Sequence, residues 1–299
     1  MIGVLCARVR LEEKQLLAAL AEAGALPMPL PPAPVPLPVG PRPASETPGV
    51  AGARVIVDRC QDRAVAAAIL AVCGQMGATV LHAGLAATAD RLAVAGQLAT
   101  AGIRRPATVL VCSPEAAMAA VEEFGFPATL LPLRPGAASS PLIDRDAAEA
   151  VLEHRAVLGS AGDGLALVQG GSPGDSARVS VLVVDGRGIA ISGDDTSRFG
   201  HDAIALAEAA AATIGASVAG VELAETARGV VVWDIQPVPD YRHARPLDGI
   251  SPAAAIAAAA MARLGIRGQE PAVRIDEHHW LRGRASEHGE VRDGVVLSA

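Results

Sequence analysis

Residues 122–136 read EEFGFPATLLPLRPG. The paired acids close a helix, Gly125 supplies its terminus, and PATLLPL (127–133) is an apolar strand running into an Arg-Pro-Gly turn. No charge interrupts that strand, whose centre is Leu130 and Leu131. Upstream, PEAAMAAVEEFG (114–125) has the spacing of a helix with proline in its first turn. Downstream, DRDAAEAVLEHRAVLG (144–159) is a helix capped by Asp144.

Toward the N-terminus the pattern alternates. Ile2–Val9 is β-rich, and Glu12–Ala23 sets Leu16, Leu17 and Leu20 on one helical face that ends at Gly24. The proline-rich run PMPLPPAPVPLPVGPRP that follows is expected to be an extended surface connection. Then come a strand at 53–59, a helix at 64–77, a strand at 79–84, a helix over Thr88–Gly102 and a strand at 107–113. Such alternation predicts parallel βαβ units. Past residue 160 the periodicity changes. LALVQG, ARVSVLVVDGRGIAIS, SVAGVELAE and RGVVVWDIQP read as strands, with a hairpin turn at Asp185-Gly186 and a short turn at Thr226–Arg228. One alanine-rich helix lies at about 203–215 and another at 251–264. The sequence therefore predicts a small α/β domain, a small α+β subdomain, and an antiparallel sheet with helices.

Composition narrows the chemistry. The 299-residue chain has a net charge of -7, which argues against nucleic acid or an anionic membrane surface as partner. Among its 25 basic residues only Lys14 is a lysine, so no Schiff base or phosphate-gripping lysine exists beyond it. Cys6, Cys60, Cys73 and Cys112 lack CxxC spacing and are expected as reduced thiols. Charges at Arg8, Arg10 and Glu12 argue against a cleavable leader, and no apolar run reaches the ~18–20 residues of a bilayer span. The expected location is cytoplasmic. In Asp276-Glu277-His278-His279 adjacent histidines point to opposite faces, so the cluster is read as part of a polar tail rather than a metal site.

The order of the three units resembles the ATP-grasp ligases, in the branch related to the LysW–2-aminoadipate ligase and the ribosomal-protein glutamate ligase. The resemblance covers about residues 1–264 and is carried by ATADRLAVAGQLATAGIRRPAT (86–107), EEFGFPATLLPL (122–133), DRDAAEAVLEHRAVLG (144–159), ARVSVLVVDGR and GVELAE…VVWDIQP. It implies an α/β chain of the ATP-grasp fold. The expected division is an N-terminal pre-ATP-grasp α/β domain (1–85), a small α+β lid subdomain (86–170), a C-terminal antiparallel sheet with helices (171–264) and a polar tail (265–299).

Family chemistry activates a carboxylate with ATP and passes it to an amine, using cations along the triphosphate and Mg²⁺ held by carboxylates. Carried over residue by residue, the resemblance implies Arg91, Arg134, Gly136 and Gln169 at the nucleotide, with Arg91 keeping the charge of a family lysine. It implies Glu222, Asp234 and Gln236 as metal ligands, each an oxygen donor of altered length. Arg178, with Arg187, falls on the substrate-carboxylate side, while Arg198 and His201 are the candidates left in a shortened acyl-phosphate segment. Departures are several. A family lysine is replaced by Leu131, the glycine loop shrinks to RPGAASS (134–140), the hinge acid is missing beside Gln169, and Ser176 stands where an aspartate is expected.

Three readings follow. One is an ATP- and Mg-dependent carboxylate–amine ligase with an eroded nucleotide site, acting on a small or protein-borne carboxylate. The second is an inactive homologue serving as a partner-binding subunit, homo-oligomeric or paired with an intact ligase paralogue. The third is a ligase-fold protein of C1-carrier (methanopterin or methanofuran) biosynthesis.

Overall fold

The computed structural model describes residues 1–32, 37, 50, 52–84, 90–135, 137–158, 165–171, 177–193 and 195–265. Three sheets organise them. The first is parallel, in the order β2-β1-β3-β4, from β1 (Ile2–Leu5), β2 (Pro27–Leu30), β3 (Val55–Asp58) and β4 (Thr79–Leu81). Its strands alternate strictly. Ile2, Val4, Val55 and Val57 face helix α1 (Leu11–Glu22), while Leu5 and Ile56 face helix α2 (Arg63–Gln75).

One expectation needs correcting here. The proline-rich run opens as a strand: PMPL is β2, pairing with β1 in parallel register. Ile2 and Cys6 donate their N–H groups to the carbonyls of Leu26 and Leu30, so the alternate positions, Pro27 and Pro29, point their nitrogens outward at the open edge. A proline on an edge strand forfeits no ladder bond when its nitrogen faces outward. Most of the rest of that run lies outside the described residues.

The second sheet is antiparallel, β5-β8-β6-β7, formed by β5 (Thr108–Val111), β6 (Ala128–Pro132), β7 (Ser140–Leu142) and β8 (Ala166–Gly170). Helix α3 (Arg91–Thr100) leads into it. Helices α4 (Pro114–Phe124) and α5 (Arg145–Leu158) cover one face, where Leu130, Val168 and Ala128 meet Val121 and Leu152. Asp144 accepts the N–H of Ala147 at 2.8 Å, the expected cap of α5. β7 is a strand that the sequence pattern missed, because three residues are too few to show a period.

The third sheet is antiparallel, β12-β11-β9-β10-β13, from β9 (Arg178–Val184), β10 (Arg187–Gly193), β11 (Val218–Thr226), β12 (Gly229–Gln236) and the two-residue β13 (Arg245–Pro246). The β9–β10 turn is the expected Asp185-Gly186, with φ of 48° and 76°, the left-handed pair of a type I′ hairpin. Helix α6 (His201–Thr213) packs on one face against Val179, Val181 and Val221. Helix α7 (Pro252–Arg263) packs on the other and also covers the parallel sheet, so Ile256 and Ala260 share one core with Val4, Leu16 and Leu182. Arg263 ties the end of α7 to the hairpin with two bonds to Asp185, at 2.6 and 2.7 Å.

Candidate functional site

A cleft of about 440 Å³ opens where the three sheets meet, a size suited to a small ligand. One wall is the carboxyl end of the parallel sheet with Arg10, Arg59 and Arg63, one is the β6–β7 turn at 137–139, and the third is β11 and β12 with Glu222, Asp234 and Gln236.

The three expected metal ligands are brought together. Glu222 and Asp234 face each other directly across β11 and β12, and Gln236 pairs with Gly220 two positions on. A bulge sets their direction. The register steps from Glu222↔Asp234 to Leu223↔Val232, leaving Trp233 as the extra residue of β12. Val232 and Ile235 both pack in the core beneath α6, so the two residues between them share the opposite face. Trp233 and Asp234 therefore stand side by side toward the second sheet and the cleft.

Both carboxylates already have partners. Asp234 Oδ2 accepts from Arg91 Nε at 3.1 Å and Nη2 at 3.0 Å, and its Oδ1 accepts the Ile235 N–H at 2.9 Å. Glu222 Oε1 accepts from Gln236 Nε2 in a short contact. Burial and the nearby Asp234 charge push the Glu222 carboxyl above its ordinary range, favouring its protonated form. Among the described residues no group of three His, Cys, Asp or Glu side chains is placed to hold a metal ion.

Arg91 is the hub. Besides Asp234, its Nη1 donates to the carbonyls of Pro132 (2.9 Å), Arg134 (3.2 Å) and Ala137 (3.3 Å), and its backbone N–H to Leu133 at 2.8 Å. The side chain is only 10% exposed. The guanidinium expected at the phosphates is engaged with β12 and with the turn after β6. Arg134 serves there through its carbonyl, and its exposed side chain is not part of the cleft wall. Gly136, Ser176 and the 276–279 cluster lie outside the described residues.

Gln169 is fully buried behind the cleft. Its Nε2 donates to the Trp233 carbonyl at 3.3 Å and its Oε1 finds no partner among the described residues. Arg178 lies with its guanidinium 3.9 Å over the Trp233 ring, and burial lowers its pKa against the pull of Glu222 and Asp234. Its Nε and Nη2 are buried without partners among the described residues. Gly171, at φ +90°, lets the hinge turn approach: a Cβ there would sit 3.3 Å from the indole. Arg198 is not brought to the cleft; it pairs with Glu225 on the surface, 52% exposed. Arg187 likewise pairs with exposed Asp248, and His201 begins α6.

Leu131 is 2% exposed and does not line the cleft. It lies on the face of β6 opposite Leu130, with Thr129 on that same face and Leu167 opposite it in register.

No family model matches the chain. Solved structures do resemble it. A RimK-domain ATP-grasp protein from Sphaerobacter thermophilus is 29% identical and aligns over 87% of this chain and 100% of its own, with a TM-score of 0.71. The chain belongs to the ATP-grasp superfamily. The ATP-grasp ligase PsnB, solved with a precursor peptide and AMPPNP, aligns at 18% identity and TM-score 0.63 over 88% of this chain and 96% of PsnB. D-alanine–D-alanine ligase from Bacillus anthracis, solved with ATP, aligns at 13% identity and TM-score 0.61 over 89% of this chain and 97% of the ligase.

Within the ATP-grasp frame the donors do not fit a Mg²⁺ ion as they stand. Such an ion needs carboxylate oxygens in near-ideal octahedral geometry, and here Asp234 already carries a guanidinium while Glu222 carries an amide. The positions expected at the nucleotide are occupied as follows. Leu131 offers no charge, and Trp233 fills the space beside Gln169 and Gly171.

The sequence reading missed one wall entirely. Glu13 accepts from Arg59 Nε at 3.0 Å and also from Arg10, while Arg59 Nη1 donates to the Pro239 carbonyl at 2.7 Å and its guanidinium lies 4.9 Å from the Tyr241 ring. Asp58 and Arg63 form a second buried pair at 2.6 Å. All follow directly on β1 and β3, where the strand order reverses, the usual ligand crevice of an open parallel sheet. VIVDRCQDR carried that signal, as charges placed immediately after an apolar strand. Arg105 was also missed. It is half-buried within electrostatic range of Asp234, with its buried Nε and Nη1 unpartnered among the described residues and its pKa lowered by burial.

Proposed function

We propose that this chain is an ATP-grasp protein of the carboxylate–amine ligase type that has given up turnover and retains a ligand cleft. The observation supporting this is Arg91, whose guanidinium is consumed by Asp234 and three carbonyls of the turn over the cleft. A ligase needs that acid for a metal and that turn free to fold over phosphates. In this reading the cleft takes a carboxylate-bearing molecule, small or protein-borne, between Arg10, Arg59 and Arg63 and the β11–β12 wall. The protein works in the cytoplasm, as a homo-oligomer or beside an intact ligase paralogue.

Thermal unfolding with and without ATP·Mg²⁺ tests this. A nucleotide binding the native state at 100 times its dissociation constant stabilises by about 2.7 kcal/mol. The expected result is no change in midpoint at millimolar ATP·Mg²⁺ and no ADP release with amine and carboxylate mixtures. A rise in midpoint accompanied by ADP release would restore the active-ligase reading.

A further inference from the structure

The unfitted metal site has a specific cause, and it sits in one side chain. Asp234, a residue of the cleft wall, receives two charge-assisted bonds from Arg91, at 3.0 and 3.1 Å, both on Oδ2. Arg105 and Arg178 lie within electrostatic range of the same carboxylate. Three guanidinium groups thus act on Asp234, and two of them, Arg91 and Arg178, act on Glu222 as well. A divalent ion would arrive where positive charge already exceeds negative. Yet the ligand set beneath is otherwise serviceable, with two carboxylates opposed across adjacent strands and an amide oxygen two residues further along β12. Mg²⁺ commonly takes one or two carboxylates and completes its shell with water.

We propose that Arg91 is the resident cation of this cleft. It stands in for a divalent metal on Asp234, so the native protein is metal-free, and its removal uncovers a site for an oxygen-preferring divalent cation on Glu222, Asp234 and Gln236. The same side chain anchors the carbonyls of Pro132, Arg134 and Ala137. One guanidinium thereby does two things that a metal with bound phosphates would otherwise share: it neutralises β12 and holds the β6–β7 turn. The inference does not depend on whether nucleotide binds or turns over.

Mn²⁺ is the probe, followed through the spectrum of the free ion by electron paramagnetic resonance on the full chain. An adjacent guanidinium lowers the proton affinity of an aspartate by about 1–3 logarithmic units, and a metal competes for the same oxygens. Arg91→Met is therefore expected to bind Mn²⁺ at least about tenfold more tightly than the native protein. Arg91→Met/Asp234→Asn is expected to lose that gain. Circular dichroism establishes that the variants are folded, and Arg91→Gln replaces Arg91→Met if the latter is not. A folded Arg91 variant with no gain overturns the proposal. So does a native protein that binds Mn²⁺ below millimolar concentration in a manner abolished by Asp234→Asn, a measurement that needs no Arg91 variant.

Discussion

Leu131→Lys places an ammonium group on the inner face of β6, where the native leucine is 2% exposed and faces Leu167, itself 1% exposed. The donors on that face are committed, while Gln169 Oε1 has no partner among the described residues. Thr129 Oγ1 donates to the Gly171 carbonyl at 2.7 Å, and Gln169 Nε2 donates to the Trp233 carbonyl at 3.3 Å. A buried leucine side chain contributes about 1.5–3 kcal/mol through removal from water. An uncompensated buried charge costs about 3–5 kcal/mol, and a flexible lysine recovers part of this by reaching toward solvent or shedding its proton. The expected net loss is about 3–5 kcal/mol. At roughly 2–4 °C per kcal/mol for a chain of this size, the midpoint falls by about 6–20 °C. Urea unfolding gives the free energy and calorimetry the midpoint, each with and without ATP·Mg²⁺. Leu131→Met controls for volume and should cost less than about 1.5 kcal/mol. A loss below about 1 kcal/mol, together with a nucleotide-dependent rise in midpoint, would mean that position 131 meets a ligand after all. The account of an inward-facing core leucine would then be wrong.

Glu13→Ala strands Arg59, whose side chain is 1% exposed, and should cost about 3–5 kcal/mol by urea unfolding. Glu13→Ala/Arg59→Met should cost less than the sum of its parts if the pair is coupled. Burial pushes the Glu13 carboxyl up, but the Arg10 hydrogen bond and the Arg59 charge outweigh it and hold the group below its ordinary value. Its contribution is therefore complete above the ordinary carboxylate range and is lost as pH falls through the lower folded value; a Glu13→Gln protein whose acid limb matches the native one would refute this. Glu222 has the opposite sign. Its raised pKa makes the native state bind the proton more tightly, so stability falls as pH rises from the ordinary carboxylate pKa to the folded one, by at most about 1.4 kcal/mol per pH unit. Glu222→Gln should flatten that slope while keeping an acceptor for Gln236; an unchanged slope would mean the carboxyl does not titrate there. Trp233→Ala removes the ring stacked under Arg178 and against Gly171, and should cost about 3–5 kcal/mol. A cost under about 1 kcal/mol would show that the indole does not fill the space between the sheets.

The fold was legible wherever periodicity is local. Alternation of Val179, Val181 and Val183 in β9, the Asp185-Gly186 turn and the Asp144 cap are set by neighbours within a few residues, and each is found in the structure. β2 was lost because its prolines mimic a linker, and their harmlessness depends on which edge they face, a property of pairing rather than composition. The site divides along the same line. That Glu222, Asp234 and Gln236 would lie on neighbouring strands follows from two consecutive strands joined by a tight turn, but it is the bulge at Trp233 that brings Asp234 opposite Glu222. What they do depends on Arg91, 143 residues from Asp234 in sequence, and on a bulge that turns Trp233 to the same side.

That division bears on how the departures at this site belong together. Leu131 looked like a lost charge to be compensated elsewhere, with Arg91 as the surviving cation. In the structure Arg91 survives by pairing with the carboxylate that a metal would need, and its Nη1 grips the turn that would close over phosphates. Leu131 then joins a buried layer with Leu167 and Thr129. Nearby, Trp233 approaches Gly171 and stacks under Arg178. On the function proposed above, the leucine at 131 and the arginine at 91 belong together: the inner face of β6 carries no charge at position 131, and the charge at α3 is turned inward onto β12. An isolated reversal at position 131 restores neither the free carboxylate nor the free turn, because both are held by Arg91. On that proposal nucleotide and metal binding require release of Arg91 first, which orders the experiments: the Arg91→Met titration with Mn²⁺ precedes any attempt to rebuild β6.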